Sequence, residues 1–353
     1  MKHGRVIAVI MAVASIAMLA GCSAPVAPHT SAPIVAAPSP TPTPTPAATG
    51  PTVRVHATCA ELVSTATIEQ VTGVSLSPVA WEHTTSAASY GSARIGSLQC
   101  EWSNQSTASA ADSVTVLVTI APNATRDEFQ SFLSGESGGG TPSTVGPDTY
   151  LMGAKGSADG FVFLTDDYGA SGFIAHMAPI KTQATAAQSL LERVYGVVSS
   201  LAAPDPMWKP IPDLRGTTDC DGLATAEQLA ATVGLADARA VKSDDGEYSS
   251  SLFNTDRQVG GYNCIWDSDT SSNASVSVVV LPGGAVYATQ VRTNVARNIS
   301  GLGDSAFFTR DGKLNVIAAD GWVQVGATGA TDAQLVALAR AVLTNNGYTQ
   351  GNS

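Results

Sequence analysis

The side chains best able to do chemistry near neutral pH are few in this chain of 353 residues: five cysteines and five histidines. A thiol can serve as nucleophile, metal ligand or half of a disulfide, and an imidazole as general base. His3 and His29 precede the body of the chain, leaving His56, His83 and His176, all in its first half. Asp166-Asp167 and Asp244-Asp245 are candidate paired carboxylates or calcium ligands, but adjacent aspartates among Gly and Ser read as solvated turn residues. Gly301-Leu302-Gly303-Asp304-Ser305-Ala306 resembles a ligand loop; it reads better as a tight turn entering a strand at Phe307, with Asp304 as its polar candidate. There is no His-Glu-x-x-His, Gly-x-Ser-x-Gly, Walker-type loop or Gly-x-Gly signature opening a helix. A catalytic centre, a metal and a cofactor are therefore not expected.

Cys22 is the exception, because of what precedes it. Lys2 and Arg5 form a positive n-region, Val6 to Ala20 is uncharged and apolar, and Leu19-Ala20-Gly21 supplies small residues before the thiol. The apolar stretch is short of the roughly 18 residues a spanning helix needs. The junction resembles the bacterial lipobox, in which the cysteine thiol receives a diacylglyceryl group before cleavage. Residues 1–21 are thus expected to be a lipoprotein signal peptide, with Cys22 the acylated mature N-terminus; two or more chains on one residue give lasting attachment.

From 22 to 53 the sequence is rich in Ala, Pro, Ser and Thr, including the run Ser39-Pro40-Thr41-Pro42-Thr43-Pro44-Thr45-Pro46. Such a segment buries too little apolar surface to fold and favours extended polyproline geometry. At about 3.1 Å per residue, roughly thirty residues reach on the order of 90 Å.

The body contains an internal duplication. Cys59-Ala60-Glu61-Leu62 leads to Val71-Thr72-Gly73, and Cys220-Asp221-Gly222-Leu223 leads to Thr232-Val233-Gly234, with 14 positions from cysteine to glycine in both. Cys100-Glu101-Trp102 answers Cys264-Ile265-Trp266. Alternating runs follow, Val114, Val116, Val118, Ile120 and then Val276, Val278, Val280, the spacing of strands with one buried face. Each copy closes on a helical pattern: Leu190, Val194, Val197 and Leu201, then Leu335, Leu338 and Val342.

Local signals complete the unit. Thr225-Ala226-Glu227-Gln228 has capping-box form, Ser64 stands at the matching place, and Gly73 and Gly234 suit left-handed C-terminal caps. Asp311-Gly312 and Asp320-Gly321 flank Leu314 to Ala318, a meander turning at Asp-Gly pairs. Its counterpart is read as Phe161 to Leu164, Asp166 to Gly169 and Phe173 to Met177, while a clear Gly-Leu-Gly-Asp turn is missing from the first copy. The proline-rich stretch around Pro204 to Pro212 separates the copies. The organisation is thus a first α+β repeat over 54–202, a linker over 203–215, a second repeat over 216–346 and a flexible tail over 347–353.

Setting Cys22 aside leaves four cysteines, which allow three pairings. The duplication selects Cys59 with Cys100 and Cys220 with Cys264, since a unit that folds by itself closes its own bridge. Two thiols are too few for structural zinc, and the second copy has no histidine to complete a site. Trp102 and Trp266 share a face with Cys100 and Cys264 if the segments are extended, and are expected to pack on the bridges; ligand stacking is the weaker reading.

The lipobox, the Pro/Thr stalk and the order Cys-x-x-Leu, glycine-ended helix, Cys-x-Trp, alternating strand, Gly-Leu-Gly-Asp-x-Ala turn and closing helix resemble the small lipoproteins of actinobacterial cell envelopes. Those carry one such domain; here two stand in tandem, over residues 1 to about 346. The resemblance implies an antiparallel sheet with helices packed on it and a place at the outer face of the plasma membrane, extending into the cell wall. It implies no reaction, because that family has no agreed activity.

Charge narrows the partners. Of 18 basic residues Lys2 and Arg5 fall in the leader, leaving 16 against 29 acidic, which argues against nucleic acid and against a basic patch docking on anionic lipid. The expected contacts are the membrane, through the N-terminal lipid, and an envelope protein or small ligand. A non-catalytic binding or sensing module is the first expectation, a structural or assembly accessory the alternative, an enzyme the last. Binding predicts a concave apolar pocket or an exposed patch repeated in both copies.

Overall fold

The computed structural model describes residues 50–348, apart from 82–85, 106–107, 109–111, 136–139, 155–156, 177–182, 211–213, 242–251, 269 and 271–273. Cys22, the leader, most of the tether, His83 and Asp244-Asp245 lie outside the described residues.

In the first half, α1 (Cys59–Leu62) and α2 (Thr65–Thr72) precede β1 (Ser77–Val79), a 3-10 turn η1 (Ala87–Tyr90) and α3 (Gly91–Arg94). Then come β2 (Leu98–Ser103), β3 (Val114–Pro122), α4 (Arg126–Gly135), β4 (Thr141–Pro142), β5 (Thr149–Ala154), β6 (Ser157–Leu164), β7 (Tyr168–His176) and α5 (Gln183–Val198). The second half runs α6 (Ala226–Val233), β8 (Ala238–Val241), η2 (Leu252–Val259), β9 (Tyr262–Ser268), β10 (Ser275–Leu281) and α7 (Ala285–Val291). It ends with β11 (Val295–Ile299), β12 (Ser305–Thr309), β13 (Leu314–Ala318), β14 (Gly321–Ala327) and α8 (Asp332–Asn345). Among the described residues no helix is long and apolar enough to cross a membrane.

The fold is α+β: two antiparallel sheets of 7 strands, ordered β1-β2-β3-β7-β6-β5-β4 and β8-β9-β10-β14-β13-β12-β11, the same path in both halves. Each half closes one disulfide, Cys59 to Cys100 and Cys220 to Cys264, with Cα atoms 5.5 and 5.7 Å apart. The registers match too: Val118 pairs with Cys100 and Val278 with Cys264.

The caps follow from residue type. Ser64 Oγ accepts from Thr67 N–H and Thr225 Oγ1 from Gln228 N–H, each satisfying a donor that the first helical turn leaves unpaired. Gly73 and Gly234 end those helices at φ 70° and 77°, where a Cβ is disfavoured. The alternating valines put one face of β3 and β10 against the closing helices. Val116, Val118, Leu190 and Val194 share one core; Val278, Val280, Leu338 and Val342 share the other.

The opposite faces are completed by exchange. From the first half, η1 lays Ala87, Ala88 and Tyr90 over Val279, Leu281 and Trp322 of the second sheet, beside Val291 of α7. From the second half, Phe253 of η2 packs with Phe129, Leu133, Val162 and Leu164 of the first. Arg94 Nε donates to Pro282 O at 2.7 Å, and Gln258 Nε2 donates to Pro122 O at 2.9 Å, so each half holds a proline carbonyl at the end of the other's third strand, Pro122 as the last residue of β3 and Pro282 just past β10. The described residues of both halves accordingly belong to one compact unit, with contacts across the linker that no sequence pattern announces.

Three readings are corrected. The first meander has the additional strand β5 and its last strand begins at Tyr168, whose hydroxyl donates to Ala202 O at 2.7 Å. A counterpart to the Gly-Leu-Gly-Asp turn does exist: Thr149 pairs with Phe163 where Ala306 pairs with Val316, which sets Val145-Gly146-Pro147-Asp148 in the place of Leu302-Gly303-Asp304-Ser305. The tail does not loosen at 347, because Tyr348 N–H bonds Leu343 O at 2.9 Å and its ring packs on the second core.

Candidate functional site: a basic cleft on the second sheet

Side chains on the outer face of the second sheet divide by position. Val279, Leu281 and Trp322 lie under η1, whereas Ser275, Ser277 and Gly326 lie beyond it and line a cleft of about 540 Å³. Between these regions Asn315 Oδ1 accepts from Trp322 Nε1 at 3.0 Å and from Gln324 Nε2 at 2.7 Å, while Gln324 Oε1 accepts from Ala87 N–H at 3.1 Å. All three side chains are buried, and their mutual bonds satisfy polar groups that burial alone penalises.

The cleft walls are charged. Arg310, Asp311 and Lys313 come from the β12–β13 turn, Arg297 from β11 and Asp332 from the first turn of α8. Arg297 pairs with Asp332 and lies over the Phe308 ring at 4.3 Å, and Lys313 Nζ stands 3.7 Å from Asp311 Oδ2. Three cations face two carboxylates, so the cleft is positive in a chain whose net charge is −11.

A second cleft, of about 270 Å³, lies in the first half beside Asp148, Asp166, Asp167 and Tyr168. Among the described residues its one lining cation is Arg126, bound to Asp148 by two parallel bonds of 2.9 and 2.8 Å. Those bonds hold the Asp148 carboxyl below the usual carboxylate range. Asp166 and Asp167 occupy the turn between β6 and β7, where Thr165 N–H bonds Tyr168 O at 2.8 Å. The two clefts are not at equivalent places.

The residues proposed from sequence fall elsewhere. Trp102 and Trp266 are 2% and 3% exposed, inside the cores that contain Cys100 and Cys264. Asp304 is exposed, but its N–H bonds Ile317 O at 2.8 Å and its Oδ1 accepts the Tyr348 hydroxyl at 2.9 Å. Gly303, at φ 60°, has room for no side chain, since a Cβ would lie 2.5 Å from Ile317 O. The loop is thereby fixed as a turn against the C-terminus. His56 Nε2 lies 3.5 Å from Asp205 Oδ1 on the surface, and nothing is described of the His176 side chain at the end of β7. Among the described residues, no group of three or more His, Cys, Asp and Glu is placed to hold a metal ion.

Sequence reasoning missed Arg297, Arg310 and Lys313. They belong to no motif, and only the meander brings them together; the available signal was Arg310-Asp311-Gly312-Lys313, a basic turn in an acidic chain. No protein family, curated protein or solved structure matches the chain.

Proposed function

We propose that this chain is an extracytoplasmic lipoprotein, tethered through acylated Cys22 to the outer face of the plasma membrane, that works as a non-catalytic binding or sensing module reaching into the cell wall. The observation that carries the reading is the division of the five cysteines. Four close the in-half disulfides, which persist in oxidising compartments, and the fifth stands alone behind an apolar leader and a run of small residues. The 22–53 segment gives a tether of the right composition, and the resemblance to actinobacterial envelope lipoproteins points to the same address. A polar, positively charged cleft suits binding.

The test is made on the native host. Metabolic labelling with an alkynyl fatty acid and mass spectrometry of the N-terminal peptide should find Cys22 acylated, and Cys22→Ser should move the protein out of the membrane fraction. A mature N-terminus elsewhere, or an unmodified thiol at 22, would overturn the proposal.

A further inference from the structure

The two sheets share one register, so each residue lining the cleft can be compared with the residue at the same place in the first half. Ser277, next to Val278, pairs with Gly326; Leu117, next to Val118, pairs with Phe173. The first sheet therefore carries a leucine and a phenylalanine where the second carries a serine and a glycine. A Cβ on Gly326 would meet Ser277 Oγ at 3.0 Å and Lys313 Cγ at 3.7 Å, so even the first atom of a side chain there touches the floor. A ring at position 326 would project into the cleft that Gly326 lines.

The exchange also changes the chemistry. The floor offers the hydroxyls of Ser275 and Ser277, and Thr328 and Thr309 stand at the rim and wall. Arg297 is held by Asp332 and by the Phe308 ring, which fixes the wall it forms. Lys313 and Arg310 extend from the same turn with one neighbouring carboxylate, Asp311, between them. Excess positive charge beside clustered hydroxyls complements a ligand that is anionic at one end and hydroxylated over the rest. A volume of about 540 Å³ lies within the range of small-ligand sites.

We infer that this cleft binds a small anionic sugar, phosphorylated or carboxylated, with Arg310 and Lys313 meeting the anion and Ser275, Ser277 and Thr328 meeting the hydroxyls. The inference deepens the binding reading above and rests on it for the absence of turnover, but it is independent of acylation at Cys22.

The experiment uses the full-length protein in detergent micelles, titrated with glucose 6-phosphate and with glucuronate, and with glucose and inorganic phosphate as references. Saturable binding of either sugar anion, tighter than glucose, is expected. The stronger of the two identifies the anion. Gly326→Phe, which installs the first half's residue, should abolish binding, and Arg310→Glu should weaken it by about tenfold or more, as loss of a charge-assisted bond implies. Ser277→Leu, also taken from the first half, serves if Gly326→Phe fails to fold. Binding unchanged in a folded Gly326→Phe or Ser277→Leu protein overturns the site, as does equal affinity for glucose or no binding up to about 10 mM. Recovering the ligand after incubation separates the two proposals: a cleaved sugar phosphate removes the non-catalytic reading and leaves the anion site standing.

Discussion

Phe253 fills the space that a side chain at position 169 would need: a Cβ on Gly169 would lie 2.6 Å from the Phe253 ring and 2.7 Å from the Ala124 Cβ. Gly169 pairs with Leu164 as Trp322 pairs with Ile317, so the two stand at one register position in their sheets. In the second sheet the bulk belongs to the strand, and Tyr90 packs on Trp322 with ring centroids 5.5 Å apart. In the first sheet the strand yields, and the visiting Phe253 goes deeper, edge-on to Phe129 at 5.2 Å. The same contact between halves is made twice, with large and small partners exchanged.

Gly169→Ala is accordingly expected to destabilise the protein by about 1–3 kcal/mol, the range for overpacking a closed site. Phe253→Ala should cost about 3–5 kcal/mol through the cavity it opens. Because the smaller residue makes room for the added methyl, the double variant should lose clearly less than the sum. Urea unfolding of the three proteins measures this. Strict additivity would show that the two positions do not touch.

Arg94 supports a second prediction. Its side chain is buried, donates to Pro282 O at 2.7 Å and to Trp208 O at 3.3 Å, and lies over the Trp208 ring at 5.1 Å. Gly283, at φ 71°, makes way for it, since a Cβ there would stand 2.3 Å from Arg94 Nε. Removing the guanidinium takes its charged donor from Pro282 O in a buried setting and from the part-buried Trp208 O, so Arg94→Ala should lose about 2–4 kcal/mol, whereas Gln258→Ala, which loses a neutral donor, should lose about 1 kcal/mol. Arg94→Lys should not restore the loss, because one ammonium cannot replace a planar fork that also stacks on Trp208. An Arg94→Ala protein that unfolds at the wild-type denaturant concentration would remove Arg94 as a tie between the halves.

What the sequence made legible is what local rules govern. The helix bounded by Ser64 and Gly73, its counterpart between Thr225 and Gly234, the alternating valines and the Asp311-Gly312 turn follow from residue type and spacing over short distances, and both cysteine pairings from the duplication; the turn after β13 falls on Ala319-Asp320, with Gly321 already in β14. The exchange of η1 and η2 was hidden because it joins residues such as Ala87 and Gln324, whose contact has no periodicity to betray it. Val145-Gly146-Pro147-Asp148 escaped notice because the turn keeps only its glycine, while the ladder that fixes its place spans β5 and β6. The cleft escaped for a different reason. It arises from small residues, Ser277 and Gly326, and an absence of bulk becomes visible only once the first sheet shows Leu117 and Phe173 in the same places.

The pH dependence of stability has two separable limbs. Two bonds from Arg126 hold the Asp148 carboxyl below its ordinary value. A carboxyl depressed on folding contributes stability that is complete above its unfolded value, about 3.9, and is lost as the pH falls through its lower folded value. At the other end, burial, followed by the bond to Asp304, pushes the Tyr348 phenol up to about 12. A phenol raised on folding contributes stability that is complete below its unfolded value, about 10, and is lost as the pH rises toward the folded one. Asp148→Asn should therefore lower stability at pH 7 and flatten the acid limb while leaving the alkaline limb in place. Tyr348→Phe should flatten the rise in instability above about pH 10 and leave the acid limb unchanged. Glu61 and Asp237 are also depressed and Tyr287 is also pushed up to about 12, so neither substitution should erase its limb entirely. Urea midpoints measured across the pH range test both assignments. An Asp148→Asn protein that keeps the wild-type stability at pH 7 and the wild-type slope through the acid limb would show that the Arg126 pair does not form in solution.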